Sequence, residues 1–228
     1  MILRANDQLA GGVIRALKGG DLESLQRMLA ANPGLSVARI RDDRGSKVLL
    51  HVVTDWPGFF PKGPTVVEML IRADANPNAR TEGPEPQTEP DGETPLQWAA
   101  SNDDVEVAEA LILGGADIEA RGGSIAGGTA LGNAIGYGCW RVARLLLNHG
   151  AKVEKLSFNV PQSPCSLFQS KIVSNGAVPD WSQGIPAGPA ESTGMSWRCP
   201  AAPDLCARVL PPFLPLYEIG WCGGRGRG

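Results

Sequence analysis

Asp91-Gly92-Glu93-Thr94-Pro95-Leu96-Gln97-Trp98-Ala99-Ala100, followed by Leu111-Ile112-Leu113-Gly114-Gly115-Ala116-Asp117, decides how the rest of this chain is read. The first run is a turn entering a short helix. Thr94 can cap that helix with its hydroxyl, and Pro95 takes a first-turn position where a missing N–H costs nothing. The second run closes a second helix, with Gly115 supplying a left-handed exit. The pattern returns in Gly128-Thr129-Ala130-Leu131 and Leu145-Leu146-Leu147-Asn148-His149-Gly150-Ala151. Thr94 to Thr129 and Gly115 to Gly150 are both 35 residues, and self-similarity at one such period signals a stacked repeat array.

Outward from this anchor, two units precede it and one follows. An N-terminal capping unit spans about 9–40, with Val13-Ile14-Arg15-Ala16-Leu17 in its first helix and Gly19-Gly20 at the turn. In its second helix, 21–31, Leu22, Leu25, Met28 and Leu29 share one face, Asp21 is placed as the cap, and Asn32-Pro33-Gly34 ends the element. The unit at 41–80 places Val48-Leu49-Leu50-His51-Val52-Val53 in a first helix and Thr65-Val66-Val67-Glu68-Met69-Leu70-Ile71 in a second. Pro57, Pro61 and Pro64 between them forbid a continuous helix. Residues 81–90 are an acidic, Pro-rich insertion without apolar side chains to bury, expected to project from the turn edge as a mobile loop. The third unit spans 91–121 and the fourth 122–156. Ala99, Ala100 and Ala134 keep one helix face small, and Leu96, Val105, Val107, Leu111 and Ile112 form an apolar stripe repeated by Leu131, Val142, Leu145 and Leu146.

Thr94-Pro95-Leu96 with Ala99-Ala100, Val107, Leu111-Ile112 and Gly115-Ala116-Asp117 resembles the ankyrin repeat, whose pattern carries Thr-Pro-Leu-His, a double Ala and a closing Gly-Ala-Asp. The resemblance covers about residues 9–156 and is fullest in the third unit. It implies an all-α fold, an ankyrin-type α-solenoid of helix-turn-helix repeats with β-turn connections. It also implies a protein-binding module without a cofactor. The chain departs from the pattern where Gln97 and Gly132 stand for the His and Ala130 for the Pro. The expected consequence is weaker hydrogen bonding between adjacent turns, a flexible fourth turn at 122–128, and a marginal array.

Composition bounds the function classes. A net charge of -3 gives no electrostatic case for nucleic acid or an anionic membrane. No apolar run is long enough to span a bilayer, and Met1-Ile2-Leu3-Arg4-Ala5-Asn6-Asp7 lacks an apolar signal core, so a cytoplasmic location is expected. The expected oligomeric state is a monomer. Cys165, Cys199, Cys206 and Cys222 lie 34, 7 and 16 residues apart, which fits no common zinc site. Residues 157–228 hold 10 of the 19 prolines but 9 of the 45 charged residues, a composition expected to be irregular or disordered. Two readings of this tail stand side by side: a native extension that drapes over the fourth unit, or the product of a shifted frame in a GC-rich gene. In the second, the true protein continues with further repeats.

No catalytic constellation is legible. His51 falls where the repeat pattern places a structural His, and His149 sits at a helix end that suits a partial positive charge. Cys139 and His149 lie at opposite ends of one helix, about 15 Å apart at the helical rise, too far to act as a nucleophile–base pair. Asp104 reads as a helix cap and Asp42-Asp43 as an exposed turn. The Gly-rich run at 122–128 lacks the Lys and hydroxyl residue of a phosphate loop. Binding is the expectation. Lys18, Asp55, Trp56, Ser101, Asn102 and Tyr137 fall near the ends of first helices, Trp98 lies on one of them, and Glu93 and Arg121 sit at turn tips, together forming a candidate concave face for another protein. The alternatives are a recruitment domain of an enzyme or regulator whose C-terminal part is missing, and a truncated product without function.

Overall fold

The computed structural model describes residues 1–84, 92–122 and 128–153. Eight helices among them pair into four hairpins. These are α1 (Gln8–Gly19) with α2 (Leu22–Ala31), α3 (Leu49–Val53) with α4 (Gly63–Arg72), α5 (Pro95–Ser101) with α6 (Val105–Leu113), and α7 (Ala130–Tyr137) with α8 (Trp140–Asn148). The first helices pack in chain order, α1 on α3, α3 on α5 and α5 on α7, while α4, α6 and α8 form a second row. Leu17, Leu25, Leu49, Leu50, Leu70, Leu96, Leu111, Leu131 and Leu146 are fully buried in the core. Each such side chain contributes about 1.5–3 kcal/mol through burial.

Local chemistry sets the helix starts. Thr94 and Gln97 cap each other at α5: the Gln97 N–H donates to Thr94 Oγ1 at 3.4 Å, and the Thr94 N–H to Gln97 Oε1 at 2.6 Å. Thr129 does half of this at α7, accepting from the Gly132 N–H at 3.1 Å. Asp21 caps α2 by accepting from the Ser24 N–H at 3.0 Å. Gly115 and Gly150 adopt φ of 92° and 88°, the left-handed exits that their spacing predicts. Helix α1 starts at Gln8 rather than at Val13, because the buried Ala10 continues the stripe of Val13 and Leu17 back by one turn.

The all-α expectation is corrected by a small sheet. Strand β1 (Ile2–Arg4) runs parallel to β2 (Arg39–Asp42), which pairs antiparallel with β3 (Gly45–Val48). Leu3, Ile40 and Val48 turn inward and are buried, while Asp42 and Asp43 lie exposed at the hairpin turn. Gly45 closes that turn at φ 133°, and a Cβ there would collide with the Glu82 carbonyl. The pairing continues onto the next unit: Ser46 bridges Glu82, and the Thr81 N–H donates to the Glu93 carbonyl at 3.0 Å. The flanks of the 81–90 insertion are thereby joined at the turn edge. The expectations for the insertion's tip, for the Gly-rich turn at 123–127 and for the tail fall outside the described residues. Among the described residues no helix is long and apolar enough to cross a membrane.

Candidate functional site

The helix caps Val48, Thr94 and Thr129 align the repeats residue by residue. Lys47, Glu93 and Gly128 share one register position, and so do His51, Gln97 and Gly132. Val52, Trp98 and Asn133 follow, then Asp55, Ser101 and Gly136, then Trp56, Asn102 and Tyr137.

At the second of these positions the units are bonded together. His51 Nε2 donates to the Glu93 carbonyl at 2.9 Å, and Gln97 Nε2 donates to the equivalent Gly128 carbonyl and also to Ala120 O at 3.3 Å. Gln97 therefore does what His51 does, and the expected weakening between the third and fourth turns is corrected. A primary amide and an imidazole N–H both place a donor at that reach. Because a carbonyl only accepts, the proton of His51 is on Nε2. Its Nδ1 is buried without a partner. Burial drives the His51 pKa down to about 4, against the opposing pull of the Glu93 bond.

Glu93 is the hub of the first-helix row. Its carboxylate accepts from Trp98 Nε1 at 3.0 Å and from Asn133 Nδ2 at 2.9 Å, so one side chain joins the third and fourth units while its backbone holds the second. The half-buried Trp98 ring meets His51 edge-on at 5.0 Å between centroids, and Lys47 Nζ lies 5.3 Å from its centre. Lys47 also reaches Asp55 Oδ2 at 3.4 Å, where Lys18 from the first unit arrives at 3.1 Å. Ser101 Oγ donates to the Gln97 carbonyl at 3.0 Å. Tyr137 closes the row, 53 % exposed, its hydroxyl held above the usual phenol range by partial burial and then by the Glu93 charge.

Two acids behind this row fasten the hairpins. Asp104 caps α6 through the Val107 N–H at 3.3 Å and also accepts from the Phe59 N–H of the preceding unit at 2.7 Å. Asp103, at φ 56°, accepts from the Val142 N–H at 3.0 Å and so caps α8 from a neighbouring unit. Burial is the main cause raising both pKa values, against these hydrogen bonds. At the turn edge Asn78 Nδ2 donates to Gly115 O at 3.0 Å and its Oδ1 accepts from the Asp117 N–H at 2.7 Å, while Arg80 Nη1 donates to the Gly92 and Arg121 carbonyls.

Of the residues the sequence singles out, Lys18, Asp55, Trp56, Glu93, Trp98, Ser101 and Tyr137 belong to first helices or the turns at their ends. Asn102 does too, but its side chain is spent inside the array, Nδ2 donating to the Thr54 carbonyl at 2.8 Å. Arg121 sits apart from them on the turn edge. Lys47 and Asn133 were missed, although register with Glu93 and the 35-residue step from Trp98 point to them. His149 is exposed at the end of α8 whose start holds the buried Cys139. Among the described residues no group of three or more His, Cys, Asp or Glu side chains is placed to hold a metal ion. The family model for ankyrin repeats matches residues 50–156, in three copies. No curated protein matches the chain.

Proposed function

Since residues 50–156 are ankyrin repeats, which indicate a protein–protein interaction module, we propose that this chain holds another protein against its first-helix face and performs no chemistry of its own. The observation that carries the reading is the exposure of Trp56 at 69 % and Tyr137 at 53 % at one register position of that face, beside Asp55 and Ser101. Large aromatics in water gain most from being covered and dominate binding energetics where they occur at interfaces. The bonds from His51, Glu93, Gln97 and Asn133 fix the spacing between units, so little ordering cost remains on association.

The test is selection of ligands for the full chain from a displayed library of random peptides. Saturable binding that weakens about tenfold or more in Trp56→Ala and Tyr137→Ala is expected. Leu113, 77 % exposed on the second-helix row, is the control, and Leu113→Ala should leave affinity unchanged. Binding that survives both aromatic substitutions and falls with Leu113 contradicts the proposal.

A further inference from the structure

Lys18 and Lys47 come from different repeat units, yet both ammonium groups meet one carboxylate oxygen, Asp55 Oδ2, at 3.1 and 3.4 Å. Asp55 is fully engaged, because its Oδ1 also accepts from the Trp56 N–H at 3.0 Å. An ammonium carries three donors, and each lysine spends one on Asp55. Each also lies over a ring, Lys18 over Phe60 at 5.1 Å and Lys47 over Trp98 at 5.3 Å. The carboxylate of the next unit, Glu93, is bonded by Trp98 and Asn133 and forms no ion pair with either lysine. Two ammonium groups thus share the single Asp55 carboxylate, and each keeps donors that Asp55 does not use. With side-chain exposures of 35 % and 27 %, these lysines are reachable from solvent yet screened less than fully exposed charges.

We infer that this lysine pair, drawn from the first two units and set beside Trp98 of the third, takes a carboxylate side chain from an acidic segment of the bound protein. The inference rests on the proposed binding face and adds the chemistry of the partner. A carboxylate presents two oxygens with several acceptor directions, so it can accept from both ammonium groups at once. The aromatic rings hold the lysines in place and exclude water from one side of each.

The probe is a peptide selected on the full chain from the random library, synthesised and titrated by fluorescence anisotropy. Asp or Glu at a fixed position of the selected peptides is expected, with affinity about fivefold weaker in Lys18→Gln and in Lys47→Gln. Lys152→Gln, at an exposed lysine outside the row, should change nothing. Asp55→Asn removes the competing negative charge while keeping an acceptor for the Trp56 N–H, and should tighten binding, a gain that misfolding cannot produce. Selected peptides without an acid that still lose affinity in Tyr137→Ala overturn the inference and leave the binding face standing. Saturable binding to no peptide overturns both. Tighter binding of the acidic peptide by a chain lacking residues 85–90 assigns the lysine pair to this chain's own Glu85 and Glu89, and overturns its assignment to a partner.

Discussion

Acid should loosen this array through one residue, His51. The imidazole is fully buried, donates through Nε2 to Glu93, and has a pKa of about 4 in the folded chain against an ordinary 6.5. Between those values the unfolded chain binds a proton that the folded chain refuses, so stability falls as pH falls. The contribution is nil above the unfolded pKa, grows by about 1.4 kcal/mol per pH unit below it, and levels at roughly 3 kcal/mol near the folded value. From pH 7 to pH 5 the expected loss is about 2 kcal/mol. The comparison is with His51→Gln, whose amide can donate to the Glu93 carbonyl as Gln97 does to Gly128, but cannot titrate. Asp103 and Asp104, whose pKa values are raised, act in the opposite direction and are present in both proteins, so they cancel in the difference. Urea unfolding followed by circular dichroism at both pH values measures it. Equal pH dependence in the wild type and the variant would refute the reasoning.

Asp104→Ala should cost about 2–3 kcal/mol, because it removes a helix cap and the tie to Phe59, whereas Asp21→Ala, an exposed cap alone, should cost about 1; urea midpoints of the two variants check the order. Leu111→Ala, at a fully buried position, should lose about 3 kcal/mol, while Leu113→Ala stays within about 0.5, as read from thermal unfolding. Gln97→Ala leaves the Thr94 N–H without its side-chain acceptor and takes the amide donor from the Ala120 and Gly128 carbonyls, the latter keeping the Gly122 N–H; it should cost about 2 kcal/mol, with faster amide exchange along α7 than in the wild type.

What was legible in the sequence is what is encoded over short distances. Thr94, Pro95 and Gly115 act on backbone groups within a turn of themselves, and Asp104 caps a helix that begins at the next residue. The sheet was not legible, because β1 to β3 are three or four residues long and too short to show an alternation distinct from turn sequence. Asp103 has no role legible in its local sequence, because the group it serves, the Val142 N–H, lies 39 residues away in the chain. Gln97 departs from the His pattern, yet the reach of its amide restores the bond. Lys47 and Asn133 acquire meaning only through Asp55 and Glu93, partners supplied by stacking rather than by local spacing.

Hydrogen exchange of the full chain, alone and saturated with a selected peptide, tests the central claim most directly. If the first-helix face holds the partner, exchange should slow in residues 47–56, 93–102 and 129–137, with α2, α4, α6 and α8 unchanged. Protection concentrated in those second helices would contradict it.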